Sequence, residues 1–289
     1  SAVTIYIFIP LVMIPMMVLS GAMFSFEKLN RSITSVNKVP VIAEMMPTRW
    51  AYEALMIRQF KDNRFEENFF EIDREISRTN FKSAWYIPEL ESRLAEINAE
   101  YHEKGRIEDE ADALTVLKNE IMREQDSLGT QTFGPDMYEP GKFNDALSSK
   151  ISRFLSNLNN FYLKQYMVNN RIKQGRLNKI MQDRKAIYYE MLNKYHNESV
   201  ADQVKKIYEK NKIVESDGRL YQQSDPIFLL PESTRAHFYA PAKLLFGKYI
   251  DTYWFNIVVI WLSSLILYVV LYYDLLRRLI EAPLFKKNS

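Results

Sequence analysis

Apolar and polar positions along this chain fall into distinct regimes. From Ser1 to Phe26 there is no Asp, Glu, Lys or Arg, and "IYIFIPLVMIPMMVLSGAMF" is almost continuously apolar. A second charge-free block, "WFNIVVIWLSSLILYVVLYY", runs from Trp254 to Tyr273 with an aromatic at each end. A helix needs roughly 20 apolar residues to cross the hydrocarbon of a bilayer. Both blocks are therefore expected to span a membrane and to bracket a large aqueous region, and the competing expectation for each is a buried core helix. Pro10 and Pro15 break a water-exposed helix but are tolerated in lipid, where neighbours satisfy the freed backbone groups. Gly21 after Ser20 predicts a turn in "SGAMFSF".

Between the blocks the apolar residues recur at helical spacing. Leu90, Leu94, Ile97 and Tyr101 form one stripe, and Ala113, Leu114, Leu117 and Ile121 a second. With Gly105 between them they predict a helical hairpin. "LGTQTFGPDMYEPGKF" contains Gly129, Gly134, Pro135, Pro140 and Gly141 and reads as loop. A further helical face follows through Ile151, Leu155, Leu158, Tyr162 and Tyr166, with Ile180, Tyr188, Met191 and Tyr195 resuming after a break at Gly175. Near the second block, "PAKLLFGKYI" reads as an interfacial segment or a surface helix. Phe238, Tyr239, Lys243, Lys248, Tyr253 and Trp254 are its membrane-interface candidates, because aromatic rings and lysine stems suit the boundary between lipid and water.

Composition narrows the chemistry. Formal net charge is only +2 and the bases alternate with acids, so no nucleic-acid partner is predicted. There is no cysteine, which excludes disulfides and thiolate metal sites. His102, His196 and His237 are too dispersed to form a short-spaced metal cluster. The "GK" at Gly141 lacks the spacing and the following hydroxyl of a phosphate loop. No catalytic residues and no cofactor site are assigned within the chain. Arg49 and Glu53, four apart, can meet on one helical face. An unpaired carboxylate in lipid is costly, so Glu53 is expected to face protein or water. Neither the basic start nor the small-residue cleavage site of a signal peptide is present, and Ser1 opens directly in apolar sequence without an initiating Met, so the chain reads as part of something longer.

Arg277, Arg278, Lys286 and Lys287 follow the second block and place its end on the cytoplasmic side, with the central region outside. In this order of features, "LSGAMFSFEKLN" and "MPTRWAYEALMIRQF" resemble the C-terminal part of ABC-2 type exporter membrane domains of the G-subfamily kind. Pro47, Trp50, Tyr52, Glu53, Ala54, Leu55 and Phe60 carry the second resemblance. It implies an all-α membrane protein with a transmembrane helix and turn over 1–26 and a re-entrant region over 27–60. A final span over 249–273 and a tail over 274–289 complete it, and the extracytoplasmic helical domain over 61–248 is a large insertion where members of the family carry a short or modest external loop. The implied location is a bacterial inner membrane, multi-pass, with the central domain in the periplasm. Glu44, Arg49, Trp50, Tyr52 and Glu53 become gating or packing candidates. ATP and Mg would be used by a nucleotide-binding domain or subunit elsewhere. The implied partners are that domain, a second membrane domain or protomer, a periplasmic protein and lipid. The alternative is a membrane-anchored periplasmic scaffold without transport.

Overall fold

The computed structural model describes residues 2–23, 26, 38–105, 112–134 and 140–275. The segment 27–37, Pro135 and the basic residues Arg277, Arg278, Lys286 and Lys287, on which the orientation was based, lie outside the described residues. The chain divides into two compact units, one formed by Ser1–Gln59 with Leu230–Ser289 and the other by Phe60–Leu229.

The first unit begins with α1 (Ala2–Val18), which contains Pro10 and Pro15. Its last turn is closed from outside, because the Thr48 hydroxyl donates to the Met16 carbonyl at 3.1 Å. Gly21 then takes φ +80°, and a Cβ there would lie 2.6 Å from the Phe238 ring. Phe26 meets that ring edge to face at 4.9 Å. Glycine is required both by the left-handed backbone and by the space. The short α2 (Val41–Glu44) leads to α3 (Pro47–Lys61). Proline suits a first helical position, where its missing N–H has no partner to lose and its φ is already helical.

The second unit is helical in its main core. α4 (Phe70–Phe81) runs through a π-turn at Lys82–Tyr86 into α5 (Ile87–Lys104). The wide turn sits immediately before Pro88, where a regular helix would lose a hydrogen bond and drive the ring against the preceding turn. α5 ends at Gly105 with φ +69°, at the hairpin break expected from the sequence. α6 (Asp112–Leu128) returns beside it. Ile87, Leu90, Leu94 and Ile97 meet Leu114, Leu117 and Ile121, and Ile151, Leu155, Leu158 and Tyr162 close the core. The last four belong to α7 (Asp145–Tyr195), whose start is capped by the Asn144 side chain accepting from the Leu147 amide at 2.9 Å. α7 runs unbroken through Gly175, against the expected break. An exposed glycine costs a helix only about 1 kcal/mol relative to alanine. Packing of α7 along α4 supplies more than that. α8 (Glu198–Lys205) and an antiparallel hairpin of β1 (Ile213–Ser216) and β2 (Arg219–Gln222) complete the unit.

Back in the first unit, "PAKLLFGKYI" forms strands. β3 (Ala242–Leu245) and β4 (Lys248–Asp251) pair antiparallel, with Lys243 opposite Ile250 and Leu245 opposite Lys248. Asp251 caps α9 (Thr252–Tyr272) by accepting from the Tyr253 amide at 2.9 Å.

The all-α exporter fold is corrected on two counts. Two hairpins interrupt the helices. Among the described residues, α9 alone is long and apolar enough to cross a membrane. An exporter path assembled from several spans is therefore not built by these residues, and neither is a multi-pass inner-membrane location. α3 is a helix docked within the first unit rather than part of a re-entrant exporter layer.

Gly21→Ala is expected to lower stability by about 1–3 kcal/mol through overpacking against Phe238 and backbone strain. Gly175→Ala, with nothing within 4 Å of the added carbon, is expected to raise it by about 0.5–1 kcal/mol. Thermal unfolding of the two variants in detergent, followed by circular dichroism, checks the opposite signs.

Candidate functional site

The first unit encloses a carboxylate. Glu53, on α3, has no solvent exposure. Its Oε1 accepts from Lys243 Nζ of β3 at 2.8 Å and from the Tyr239 amide at 3.2 Å. Its Oε2 accepts from Asn256 Nδ2 of α9 at 2.9 Å and faces Arg49 Nη2 at 3.4 Å. The same Asn256 amide group reaches the Trp50 carbonyl at 3.0 Å. One side chain thus gathers α3, the Tyr239 turn, β3 and the first turns of α9.

Local sequence explains the convergence. Arg49 and Glu53 share a face of α3 at i and i+4. Lys243, paired with Ile250, is buried, while Lys248, on the same face of the hairpin at its far end, is exposed. Tyr239 holds φ +68°, which aims its amide at the carboxylate. Thr252 locks the start of α9 by donating its hydroxyl to the Ala240 carbonyl at 2.6 Å.

Two cations face one carboxylate, so the buried cluster carries an excess positive charge. Arg49 is 1% exposed, and its Nε and Nη1 find no hydrogen-bond partner among the described residues. Its guanidinium carbon instead lies 4.0 Å from the Trp50 ring centroid and 5.8 Å from that of Phe238. Aromatic faces compensate such a charge in part. Burial acts to raise the Glu53 pKa, but Arg49, Lys243 and the hydrogen bonds from Lys243 and Asn256 outweigh it and hold the carboxyl below its ordinary value. Burial pushes the Lys243 ammonium down to about 8, and Arg49 adds to this against the opposing pull of Glu53.

The sequence-derived candidates occupy different places. Arg49, Trp50, Tyr52 and Glu53 come together, with Tyr52 stacked on Phe238 at 6.3 Å. Glu44 ends α2, where it pairs with Arg235 at 3.2 Å, and its carbonyl accepts from Trp50 Nε1 at 2.7 Å. Phe238, Tyr239 and Lys243 lie inside the unit, around the Glu53 carboxylate, rather than on its surface. Lys248 and Trp254 are exposed, and Tyr253 is half-buried with the Arg58 guanidinium 4.9 Å from its ring centroid.

The second unit holds a polar network that the sequence reading did not single out. Glu120 of α6 accepts from Tyr86 Oη at 2.7 Å and from the Leu220 amide of β2 at 2.9 Å. Glu124 accepts from Tyr162 Oη at 2.7 Å and pairs with Lys82, the first residue of the π-turn. Burial and the adjacent carboxylates raise both tyrosine pKa values, while burial lowers that of Lys82 against the pull of Glu124. The signal was present in the sequence. Glu120 and Glu124 fall one turn apart beside Leu117 and Ile121, interrupting an apolar stripe.

Neither cluster arranges a nucleophile beside a general base. Among the described residues no group of three His, Asp or Glu side chains is placed to hold a metal ion. No protein-family model, curated protein or solved structure matches the chain. The resemblance to ABC-2 exporters thus gains no support from homology, and α9 as the one membrane-length helix among the described residues contradicts it together with its exporter function.

Glu53→Gln leaves two buried cations without their counter-charge and is expected to cost about 3–5 kcal/mol. Lys243→Met leaves a one-to-one pair and is expected to cost less. Below pH 8 Lys243 is protonated folded or unfolded. Between about 8 and its ordinary value of 10.5 the unfolded chain holds the extra proton, so stability attributable to Lys243 rises with pH across that window. Glu53 contributes stability above its ordinary 4.5 that is lost as pH falls through its lower folded value. Unfolding curves of wild type and the two variants across pH check this. Lys243→Met should erase the alkaline rise and shrink the acid loss, because Lys243 helps to hold the Glu53 carboxyl down, and Glu53→Gln should erase the acid loss.

Proposed function

We propose that this chain is a membrane-anchored scaffold, in which α9 sits in a bilayer and the helical unit over Phe60–Leu229 binds another protein. The observation that carries the reading is α9 itself. Its 21 residues contain no charge, and Val258, Trp261, Leu262, Leu265, Ile266, Tyr268 and Leu271 are all exposed. In water such a surface would collapse or aggregate. At 1.5 Å per residue the helix is about 31 Å long, close to the roughly 30 Å of a hydrocarbon core. Its beginning is tied down by Thr252 and by Asn256 at the Glu53 carboxylate. Lipid is the environment that suits the remainder. On α1, Tyr6, Leu11 and Ile14 are likewise exposed and favour lipid as a neighbour.

Partner binding is supported by α7. Its covered face packs on α4, while Phe161, Met167, Val168 and Ile172 are exposed on the rest of the helix. Methionine and aromatic side chains are well suited to adaptable protein contacts.

Leu262→Arg with Leu265→Arg places two charges mid-helix, each costing about 2.5–3.5 kcal/mol for insertion. Wild type should remain in the membrane pellet after an alkaline carbonate wash, and the double variant should lose that retention. Wild type washing off, or the variant staying, would refute the anchor. A photo-crosslinker at Met167 in the full chain tests the other half. Val168→Asp with Ile172→Asp should abolish its protein adduct without altering the helical spectrum, and the absence of any adduct in wild type counts against partner binding.

A further inference from the structure

The hairpin of β3 and β4 closes through Phe246 and Gly247, and Phe246 is 96% exposed. It holds φ +49° and Gly247 φ +75°. In such mirror-image two-residue turns the first position favours Asn, Asp or Gly, because a bulky side chain is strained at positive φ. The fold therefore keeps a large aromatic ring where it packs on little and where a small polar residue would sit more comfortably. Tyr249 is exposed beside it, as is Lys248. At the other end of β4, Trp254 is exposed in the first turn of α9. Aromatic rings combined with a basic head group are the composition of a membrane–water interface.

We propose that the β3–β4 hairpin is a second membrane contact, with Phe246 inserted among lipid head groups and Lys248 facing anionic lipid. The inference rests on the reading of α9 as a bilayer anchor. With α9 filling the hydrocarbon, its first turn stands at the hydrocarbon boundary. β4 has four residues and runs directly into that turn, so at about 3.3 Å per residue the tip lies within about 13 Å of it. The head-group layer extends about 5–7 Å from the hydrocarbon on each side, so a β4 that slants along the membrane surface keeps the tip inside that layer. Two attachments, one spanning and one interfacial, restrict how the first unit leans on the membrane, which a single helix leaves free.

The chain has no cysteine, so single-cysteine spin labels report without background. Phe246→Cys tests the tip, Leu262→Cys tests α9, and Tyr208→Cys, exposed in the second unit, gives the aqueous reference. The full chain is reconstituted in vesicles of phosphatidylcholine with phosphatidylglycerol, and label accessibility to oxygen and to a water-soluble nickel chelate is compared. Label 246 should be several-fold less accessible to nickel than label 208 and shallower than label 262. Equal accessibility at 246 and 208, with 262 protected, overturns the hairpin contact and leaves the anchor standing. Nickel access at 262 overturns both. Phe246→Asn, which suits the turn, should leave unfolding temperature in detergent unchanged or higher. It should also raise nickel access at a label placed on the neighbouring exposed Tyr249. A loss of folding stability in Phe246→Asn would instead assign the ring a packing role and overturn the proposal.

Discussion

Burying the Glu53 carboxylate obliges the surrounding chain to supply donors, and the first unit is arranged around meeting that demand. A carboxylate withdrawn from water costs several kcal/mol unless its lone pairs are satisfied. Here the donors come from Arg49, Lys243, Asn256 and the Tyr239 backbone, which belong to segments far apart in the chain. Each must be in place for the others to be tolerated. The consequence for α9 is direct, because Asn256 ties the start of a charge-free helix to α3 through a buried polar contact rather than through a large apolar interface. The remainder of α9 is left to face its surroundings.

The second unit solves a similar problem differently. Glu120 and Glu124 lie one turn apart on α6, and each is met by a tyrosine hydroxyl. Glu120 also accepts from the Leu220 amide, while Asn119 reaches the Gly218 carbonyl at 2.9 Å, so the β1–β2 hairpin is held to α6 by polar contacts at two points. The π-turn at Lys82–Tyr86 places both Lys82 and Tyr86 against this pair of acids. It also accommodates Pro88 in a nearly continuous helical run. One irregular turn thereby satisfies a proline and a buried charge network together.

A resemblance carried by a few residues was a weaker guide than their physical chemistry. Pro47, Trp50, Tyr52 and Glu53 suggested an exporter by their order. Their positions instead follow from local demands: Pro47 opens a helix, the Trp50 indole donates to the Glu44 carbonyl and underlies Arg49, Tyr52 stacks on Phe238, and Glu53 receives the surrounding donors.

What could be read directly from the chain were features set by short-range periodicity. The α5–α6 stripes, the turn at Gly105 and the charge-free length of α9 follow from spacings within a few helical turns. The Arg49–Glu53 pairing was legible for the same reason, since residues four apart on a helix are neighbours. That Lys243, Tyr239 and Asn256 would converge on the same carboxylate was not legible. Their separations from Glu53 exceed 180 residues, and no local rule connects them. Lys243 reaches that carboxylate from a strand that forms by pairing "AKLL" with "KYID" across the Phe246 turn. Continuity of α7 through Gly175 was equally a tertiary outcome, because contact with α4 outweighs the small helical penalty of one glycine. Local spacing determines which faces can form, whereas long-range pairing determines which of their charges are removed from water.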